Sequence, residues 1–360
     1  MRRVGVIEAY YGRQWSWADR YAVIGQLPEL GLDQYVYAPK ADASLRKRWR
    51  EPFSESQEQA LCEMVRCCKL AGVAAGIGFT PRGLISVSER GARQALRSKA
   101  AELAALELDL LYILFDDLPS SGDSMAIEQL RIVEELLPRC GVSQVVVCPS
   151  YYSTDPVLEK VFGPRPRDYW QQLGAGLDQR IGLCWTGAQV CSESYSRDNL
   201  AFIAEAYRRL PVLWDNYPVN DSAKLSLQLR LYPFTGRERW LADYTAAHMA
   251  NPMNQPLLSL LPLASLARLY SAAGTVNCDS IQVNTLPQAW GRAAESISRE
   301  LVAQLAADAE DFQSRGRDTF PAERKTELLA RYCSFREAQA REVMDWLNGE
   351  YAFDPECLTD

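Results

Sequence analysis

Eight short apolar runs rich in β-branched and aromatic residues recur along the chain, roughly 30 to 40 residues apart, which is the length of one βα unit. Between the runs, apolar positions recur with helical spacing, for example over 58–65 and 92–108. Near-continuous apolar strands that alternate with helices are typical of a parallel sheet covered on the outside, so the pattern predicts an α/β fold. The predicted strands are Val4–Ile7, Tyr35–Ala38, Ala74–Phe79, Leu110–Phe115, Val145–Cys148, Ile181–Trp185, Val212–Trp214 and Ala246–Met249.

Eight such units fit a (β/α)8 TIM barrel better than an open, doubly wound sheet, which would require one or two runs not to be strands. After about residue 275 the pattern changes, and long amphipathic helices are predicted over 288–312 and 322–347, with breaks at 315–317 and at Pro321. The sequence therefore predicts a barrel domain over 1–274 and a helical C-terminal extension over 275–360. The extension either packs on the barrel or offers a face for homodimerisation, and the sequence leaves both open.

Charge and hydropathy exclude several classes of protein. The 39 basic and 46 acidic residues give a net charge of −7, whereas a nucleic-acid binder needs a basic face. No apolar run approaches the roughly 18 residues that span a bilayer, and the first residues lack the apolar segment of a secretory signal. The ten cysteines form no CxxC pair, which indicates reduced thiols. We therefore expect a cytoplasmic protein that binds neither membrane nor nucleic acid.

A single histidine, His248, narrows the chemistry further. One histidine cannot build a multi-histidine metal site, and its place within an apolar run indicates a packed structural role. The glycine-rich fingerprints GxGxxG and GxxxxGK[ST] are absent, so no nucleotide cofactor is predicted. Acid–base chemistry would thus depend on carboxylates, without a metal or a cofactor.

Polar and aromatic residues follow almost every predicted strand, where the active site of a barrel enzyme lies. Hydroxyls, amides and carboxylates beside aromatic faces are what a pocket for a sugar ring requires. These strand-end segments are Glu8–Gly12, Pro39–Lys40, Asp116–Asp117, Pro149–Tyr152, Thr186–Gly187, Asp215–Asn216 and Asn251–Pro252.

The pair Asp116–Asp117 follows the fourth predicted strand without a spacer. Like charges held close do not both ionise readily, so one member of such a pair can act as an acid near neutral pH. Alternatively, the pair only caps the next helix, as acidic residues in βα loops commonly do. A basic run over 46–50 has two interpretations as well, an anion-binding site or a solvated loop.

The segment Ile7–Trp15 resembles the first-strand motif of the family 84 glycoside hydrolases, which include protein O-GlcNAcases and bacterial β-N-acetylglucosaminidases. Phe115–Leu118 resembles the catalytic Asp-Asp motif of that family. The resemblance covers roughly residues 4 to 270. The other similar segments, in the family's order, are Tyr37–Lys40 with Trp49–Phe53, Cys148–Tyr152, Trp185–Val190, Leu213–Asp221 and Asn251–Asn254.

The resemblance implies retaining hydrolysis of terminal β-linked GlcNAc, in which the substrate's own 2-acetamido oxygen attacks the anomeric carbon and forms an oxazoline. By this analogy Asp116 would accept a hydrogen bond from the acetamido N–H. Asp117 would protonate the leaving oxygen and then deprotonate water. The implied partner is a GlcNAc-bearing glycoside or glycoprotein.

The resemblance also implies a set of substrate-binding residues. Asn216 would hold either the acetamido group or Asp116, Tyr152 would donate to the same region, and Trp214 would enclose the acetyl methyl. Three of these residues also have a purely structural interpretation: Trp214 as barrel core, Lys40 as a surface charge and Asp221 as a helix cap. The remaining implied contacts come from Lys40, Asp221, Asn251, the Ala9 backbone, Tyr10, Tyr11, Thr186 and Val190.

Two residues depart from the family pattern. Ala9 stands where the family usually has Gly, and Tyr10 stands where it usually has Phe, which would narrow the pocket or change the preferred aglycone. Two other functions are compatible with the chain: hydrolysis of chitin- or peptidoglycan-derived GlcNAc oligosaccharides, or catalytically weak binding of GlcNAc or a glycopeptide. The intact Asp116–Asp117 pair favours an enzyme.

Overall fold

The protein is described here by a computed structural model that covers residues 3–270 and 286–358. Eight parallel strands pair in chain order, and the last pairs with the first, so the barrel is closed. Each predicted apolar run forms one strand, which confirms the (β/α)8 TIM barrel. The strands are β1 (Arg3–Glu8), β2 (Gln34–Tyr37), β3 (Ala74–Phe79), β4 (Leu110–Leu114), β5 (Gln144–Cys148), β6 (Gly182–Trp185), β7 (Val212–Asp215) and β8 (Ala247–Ala250).

Helices cover the outside of the barrel, and local sequence fixes several of their ends. The second helix begins after Ser54, whose side chain accepts from the Gln57 N–H, and it ends at Gly72 with a φ of 71°. The barrel helices are α1 (Trp17–Gln26), α2 (Glu55–Ala71), α3 (Ala92–Ala105), α4 (Met125–Leu136), α5 (Pro156–Phe162), α6 (Tyr169–Gly176), α7 (Arg197–Tyr207), α8 (Leu241–Tyr244) and α9 (Pro256–Leu266).

The strands of the barrel pack so closely that some positions admit only glycine. In β3, a Cβ at Gly78 would lie 2.5 Å from the Cβ of Ala38 and 2.7 Å from Leu114. Real side chains do not approach this closely, so neighbouring strands constrain this position to glycine. Gly78 therefore serves strand packing, in line with the absence of a nucleotide fingerprint.

The helical extension is more broken than its sequence pattern predicts. The expected helix over 288–312 is divided at Gly291, which has a φ of 47°, and again at Ser298, which caps the next helix. The expected helix over 322–347 is divided after Tyr332, whereas the breaks at 315–317 and Pro321 are present. The helices are α10 (Leu286–Trp290), α11 (Arg292–Glu295), α12 (Arg299–Glu310), α13 (Ala322–Tyr332) and α14 (Ala338–Leu347).

The extension packs on the barrel. Its buried Trp346 donates from Nε1 to the Ser226 carbonyl at 3.1 Å, and Trp290 donates to the Leu231 carbonyl at 2.8 Å. Tryptophan side chains of this kind fix an apolar contact and its orientation at once. Homodimerisation through these helices stays a prediction, and the expected domain boundary at residue 274 lies outside the described residues. Within the described ranges, no helix is long and apolar enough to cross a membrane.

A buried carboxyl joins α14 to α9. Both oxygens of Glu342 accept backbone hydrogen bonds from the first turn of α9, from the Leu257 N–H at 3.0 Å and the Leu258 N–H at 2.8 Å. Burial raises the pKa of Glu342 to about 8 despite these hydrogen bonds. The carboxyl is therefore protonated in the folded protein over a pH range in which an unfolded glutamate is ionised.

We expect the stability of the protein to fall as pH rises from about 4.5 to about 8, because the folded state then binds a proton that the unfolded state has lost. Glu342→Gln is expected to flatten this dependence, since an amide does not ionise. Urea unfolding at several pH values measures it, with the exposed Glu350→Gln as the matched control. A variant with the wild-type slope over this pH range would contradict the assignment.

Candidate active site

A cavity that is partly open to solvent lies at the carboxyl ends of the strands, where the active sites of barrel enzymes lie. Twelve of the thirteen site residues predicted from sequence line it. They are Ala9, Tyr11, Lys40, Asp116, Asp117, Tyr152, Thr186, Val190, Trp214, Asn216, Asp221 and Asn251.

The backbone turns sharply between the two central carboxylates. Successive side chains of a strand point to opposite faces, so an extended Asp116–Asp117 pair would not reach one cavity. Asp117 has a φ of 57°, in the left-handed region that a non-glycine residue seldom adopts. With this turn both carboxylates line the same cavity. Local backbone strain at such a position is typical of functional sites.

Two phenols hold the carboxylate of Asp117. Tyr11 donates from Oη to Asp117 Oδ2 at 2.7 Å, and Tyr152 donates from Oη to Asp117 Oδ1 at 3.0 Å. Burial, followed by the negative charge of Asp117, raises the pKa of both phenols well above the ordinary value. Both phenols therefore remain protonated donors and fix the orientation of the carboxylate.

Lys40 supplies positive charge to the pair. Its ammonium forms an ion pair with Asp116 Oδ2 and lies 3.8 Å from Asp117 Oδ2. The side chain is buried, so the interpretation of Lys40 as a surface charge is wrong. The other oxygen of Asp116, Oδ1, is buried and has no hydrogen-bond partner among the described residues. A buried acceptor of this kind is costly to leave unpaired, which marks Asp116 Oδ1 as a binding point for a ligand donor.

A third carboxylate, that of Asp221, lies at the cavity wall. Its Oδ2 accepts the backbone N–H of Tyr11 at 2.8 Å. Burial raises the pKa of Asp221 to about 6, and the Tyr11 N–H opposes that shift. Asp221 thus organises the loop after β1 and still lines the cavity, where it can accept hydroxyl hydrogen bonds.

Amide side chains connect the loops after β7 and β8. Asn216 Oδ1 accepts from Trp214 Nε1 at 3.0 Å and from Asn251 Nδ2 at 3.1 Å, while its Nδ2 donates to the Val190 carbonyl at 2.9 Å. Asn251 Oδ1 accepts the Ala9 N–H at 3.2 Å. The Ala9 N–H is thus engaged within the protein, and no described hydrogen bond joins Asn216 to Asp116. The Trp214 ring lines the cavity and is not only barrel core.

Thr186 shapes the cavity through its backbone. Its N–H donates to the Tyr152 carbonyl at 2.9 Å, and its hydroxyl donates to the Gln189 carbonyl at 2.9 Å. The hydroxyl proton is therefore used within the loop after β6. Thr186 contributes to the site mainly by placing Tyr152.

Tyr10 is the predicted site residue that the structure places elsewhere. Its side chain is buried, donates from Oη to Glu8 Oε1 at 3.3 Å and accepts the Trp15 N–H at 3.2 Å. Its neighbour Glu8 is held by Arg20 at 2.7 Å. The prediction for Tyr10 is wrong because alternate residues after β1 point to opposite sides, and Tyr10 faces the packing side.

The strand-end Asp215 and the single histidine are structural as well. Asp215 forms an ion pair with Arg237 at 2.6 Å, and His248 Nε2 lies 3.0 Å from Asp215 Oδ2. His248 Nδ1 shares a hydrogen bond with Tyr270 Oη at 2.6 Å. The side chains of Asp215, Arg237 and His248 are buried and do not line the cavity, so the structural interpretation of His248 is confirmed.

The fold brings to the site residues that no sequence pattern predicted, some in the cavity wall and one, Arg46, behind it. Arg46 is buried and donates from Nη2 to Tyr11 Oη at 2.8 Å, although its basic run suggested either an anion site or a solvated loop. Its partners show that part of this run is neither exposed nor solvated. Cys357 reaches the cavity from the far end of the chain, and no local signal predicts that position. The other missed lining residues are Cys148, Cys191, Val219, Ser222 and Leu225.

The donor set of the cavity suits an organic ligand. It combines carboxylates, a lysine, phenols and amides with the apolar face of Trp214. Within residues 3–270 and 286–358, no group of three or more histidine, cysteine or acidic side chains is placed to hold a metal ion.

Comparison with known proteins supports both the barrel fold and the resemblance found in the sequence. The model of the NAGidase family, described as β-N-acetylglucosaminidase, matches residues 4–305. Protein O-GlcNAcases of Rattus norvegicus and Mus musculus are each 25% identical over 277 residues, which cover 74% of this chain and 30% of theirs. The chain thus spans about a third of the length of these curated relatives.

Solved structures share the architecture over most of the chain. A mutant O-GlcNAc hydrolase of Thermobaculum terrenum has a TM-score of 0.75 and 26% identity, with 96% of this chain and 75% of that chain covered. CpGH84B, at 22% identity and a TM-score of 0.71, covers 96% of this chain and 60% of its own, and supports the fold. The expected resemblance to family 84 glycoside hydrolases is confirmed, and the chain belongs to the β-N-acetylglucosaminidase family.

Proposed function

We propose that the protein is a retaining exo-β-N-acetylglucosaminidase of the O-GlcNAcase type, which hydrolyses terminal β-linked GlcNAc with assistance from the substrate. The observation that carries this proposal is the unequal environment of the two neighbouring carboxylates. Asp117 is held by two phenols, whereas Asp116 keeps one buried oxygen without a partner. One carboxylate is thus oriented for proton transfer and the other is ready to accept a donor.

Asp116 acts on the acetamido group. Its unpaired Oδ1 would accept the acetamido N–H, which turns the acetamido oxygen toward the anomeric carbon. That oxygen attacks the carbon, the glycosidic bond breaks, and an oxazoline forms. A positioned neighbouring group has a high effective concentration, so the protein need not supply a nucleophile. The Asp116 charge also stabilises the positive charge that develops on the ring.

Asp117 acts on the leaving group. As an acid it protonates the glycosidic oxygen, and as a base it later takes a proton from the water that opens the oxazoline. Tyr11 and Tyr152 keep its carboxylate in one orientation through both steps. Lys40 lies near both carboxylates and moderates their mutual repulsion.

The remaining cavity residues bind the sugar. Asp221 would accept hydrogen bonds from ring hydroxyls, and Asn251 would form hydrogen bonds with them through its amide. Trp214 would pack against the acetyl methyl. Asn216 has a second amide proton with no acceptor among the described residues, which suits the acetamido oxygen. Ala9 adds a methyl group at the cavity wall.

Location and assembly belong to the same proposal. An acidic chain whose ten cysteines form no CxxC pair suits the cytoplasm, with GlcNAc-bearing glycosides or glycoproteins as partners and no nucleic acid. A homodimer through the C-terminal helices is proposed as well. Light scattering on the purified protein measures the oligomeric state directly, and a monomer at micromolar concentration would reject the dimer.

Asp117→Asn is expected to reduce kcat/KM by about 10²–10⁴-fold for GlcNAc β-glycosides with poor leaving groups, because an amide cannot protonate the departing oxygen. For substrates whose phenol leaving group departs without protonation, kcat/KM should fall far less. Steady-state kinetics over a series of aryl and alkyl GlcNAc β-glycosides measures this difference. The exposed Asp123→Asn on the same loop is the matched control. An equal loss with every leaving group would reject Asp117 as the acid.

Asp221 predicts a pH effect on substrate capture. Since its pKa lies at about 6, lowering the pH through 6 protonates the carboxylate and weakens its acceptance of hydroxyl hydrogen bonds. We expect kcat/KM of the wild type to fall as the pH is lowered through 6. Asp221→Asn should have a lower kcat/KM throughout but should not show this fall near pH 6. A pH profile of kcat/KM for both proteins tests it. Persistence of the limb near pH 6 in the variant would assign it to another group.

A further inference from the structure

Residues 352–358, here called the strap, return from the end of α14 to the mouth of the cavity. The Ala352 carbonyl lies so close to Gly12 in the loop after β1 that a Cβ there would approach it to 3.3 Å. The strap then forms a turn, in which the Glu356 N–H donates to Asp354 Oδ1 at 2.9 Å. The next residue, Cys357, lines the cavity together with the two catalytic carboxylates. The strap is therefore part of the cavity wall.

Glu356 holds the strap against three cations. Its Oε2 lies 3.1 Å from Arg82 Nη1 and 3.5 Å from Arg46 Nη1, and its Oε1 forms an ion pair with Lys47. The hydrogen bond from Lys47 is the main reason why the pKa of Glu356 is lowered, so the carboxylate is charged at neutral pH. Single exposed ion pairs contribute little, but three cations converge on this carboxylate and Arg46 is buried.

The hydrogen bonds of Arg46 show which side of the cavity the strap occupies. Arg46 contacts Glu356 through Nη1 and Tyr11 Oη through Nη2, and Tyr11 in turn donates to Asp117. Asp221 also contacts Tyr11, but through the backbone N–H, at the opposite end of the residue from the hydroxyl that Arg46 and Asp117 share. The strap is thus attached to the side of Asp117, the residue that must face the glycosidic oxygen and the departing group.

We propose that the strap forms a wall of the leaving-group subsite and restricts the enzyme to GlcNAc glycosides whose aglycone is no larger than a sugar. This inference rests on the proposed function, because it uses Asp117 to define the leaving-group side. Because Cys357 lines the same cavity as Asp117, a folded protein or a long peptide attached to GlcNAc would extend against the strap. The strap therefore acts as a specificity determinant, and the aglycone class it favours is small and non-protein.

The test compares kcat/KM for a small substrate, 4-methylumbelliferyl β-GlcNAc, with that for a GlcNAc-modified protein. Two variants release the strap: Glu356→Arg, which repels the three cations, and a chain that ends at Tyr351. In both we expect the ratio of protein to small-substrate kcat/KM to rise by roughly tenfold or more. The matched control is Glu350→Arg, an exposed side chain outside the strap, which should keep the wild-type ratio.

A third measurement uses the unaltered protein. About 1 M NaCl screens the contacts of Glu356 and should raise the same ratio in the wild type, whereas Glu356→Arg should respond little. A ratio within twofold of wild type in the variants, and insensitive to salt in the wild type, would overturn the proposal. Failure of wild type to hydrolyse 4-methylumbelliferyl β-GlcNAc would instead reject the proposed function.

Discussion

Two carboxylates on consecutive residues can share one cavity where the backbone turns them to the same side and a positive charge lies beside them. At the end of β4, the left-handed conformation of Asp117 provides the turn and the Lys40 ammonium provides the charge. The repulsion between the two acids is therefore balanced within the barrel rather than by solvent. Tyr11 and Tyr152 complete the arrangement. Their hydrogen bonds to Asp117 hold its carboxylate in one orientation.

Buried acids elsewhere in the barrel show how different the Asp116–Asp117 pair is. Glu8 is held by Arg20 through a bidentate contact, and Asp215 is enclosed by Arg237 and His248. Burial of such a pair costs desolvation free energy, and complete hydrogen bonding offsets that cost. These pairs therefore belong to the structural core. Asp116 lacks that completeness at Oδ1. The unpaired oxygen distinguishes Asp116 from Glu8 and Asp215, and it faces the cavity that Asp116 lines.

Segments distant in the chain converge on this site. The extension contributes Glu342 to the first turn of α9, and the strap brings Cys357 to the cavity. Arg46 connects the strap to Tyr11 and thereby to Asp117. The region C-terminal to the barrel is thus coupled to the site as well as to the stability of the fold. On the function proposed above, this coupling would let the strap select the leaving group without a change in the residues that contact the sugar.

The sequence by itself determined the eight strands, because buried parallel strands need continuous apolar runs. It located many of the cavity residues because barrel sites lie directly after the strands, whereas Val190, Trp214 and Asp221 came from the family resemblance. It misplaced Tyr10, since one residue of register decides whether a side chain faces the cavity or the packing side. It also joined helices that Gly291 and Ser298 separate. Only the tertiary structure decided the contact of Lys40 with Asp116, the burial of Arg46 and the position of Cys357, because these depend on distances between residues far apart in the chain, which no local pattern encodes.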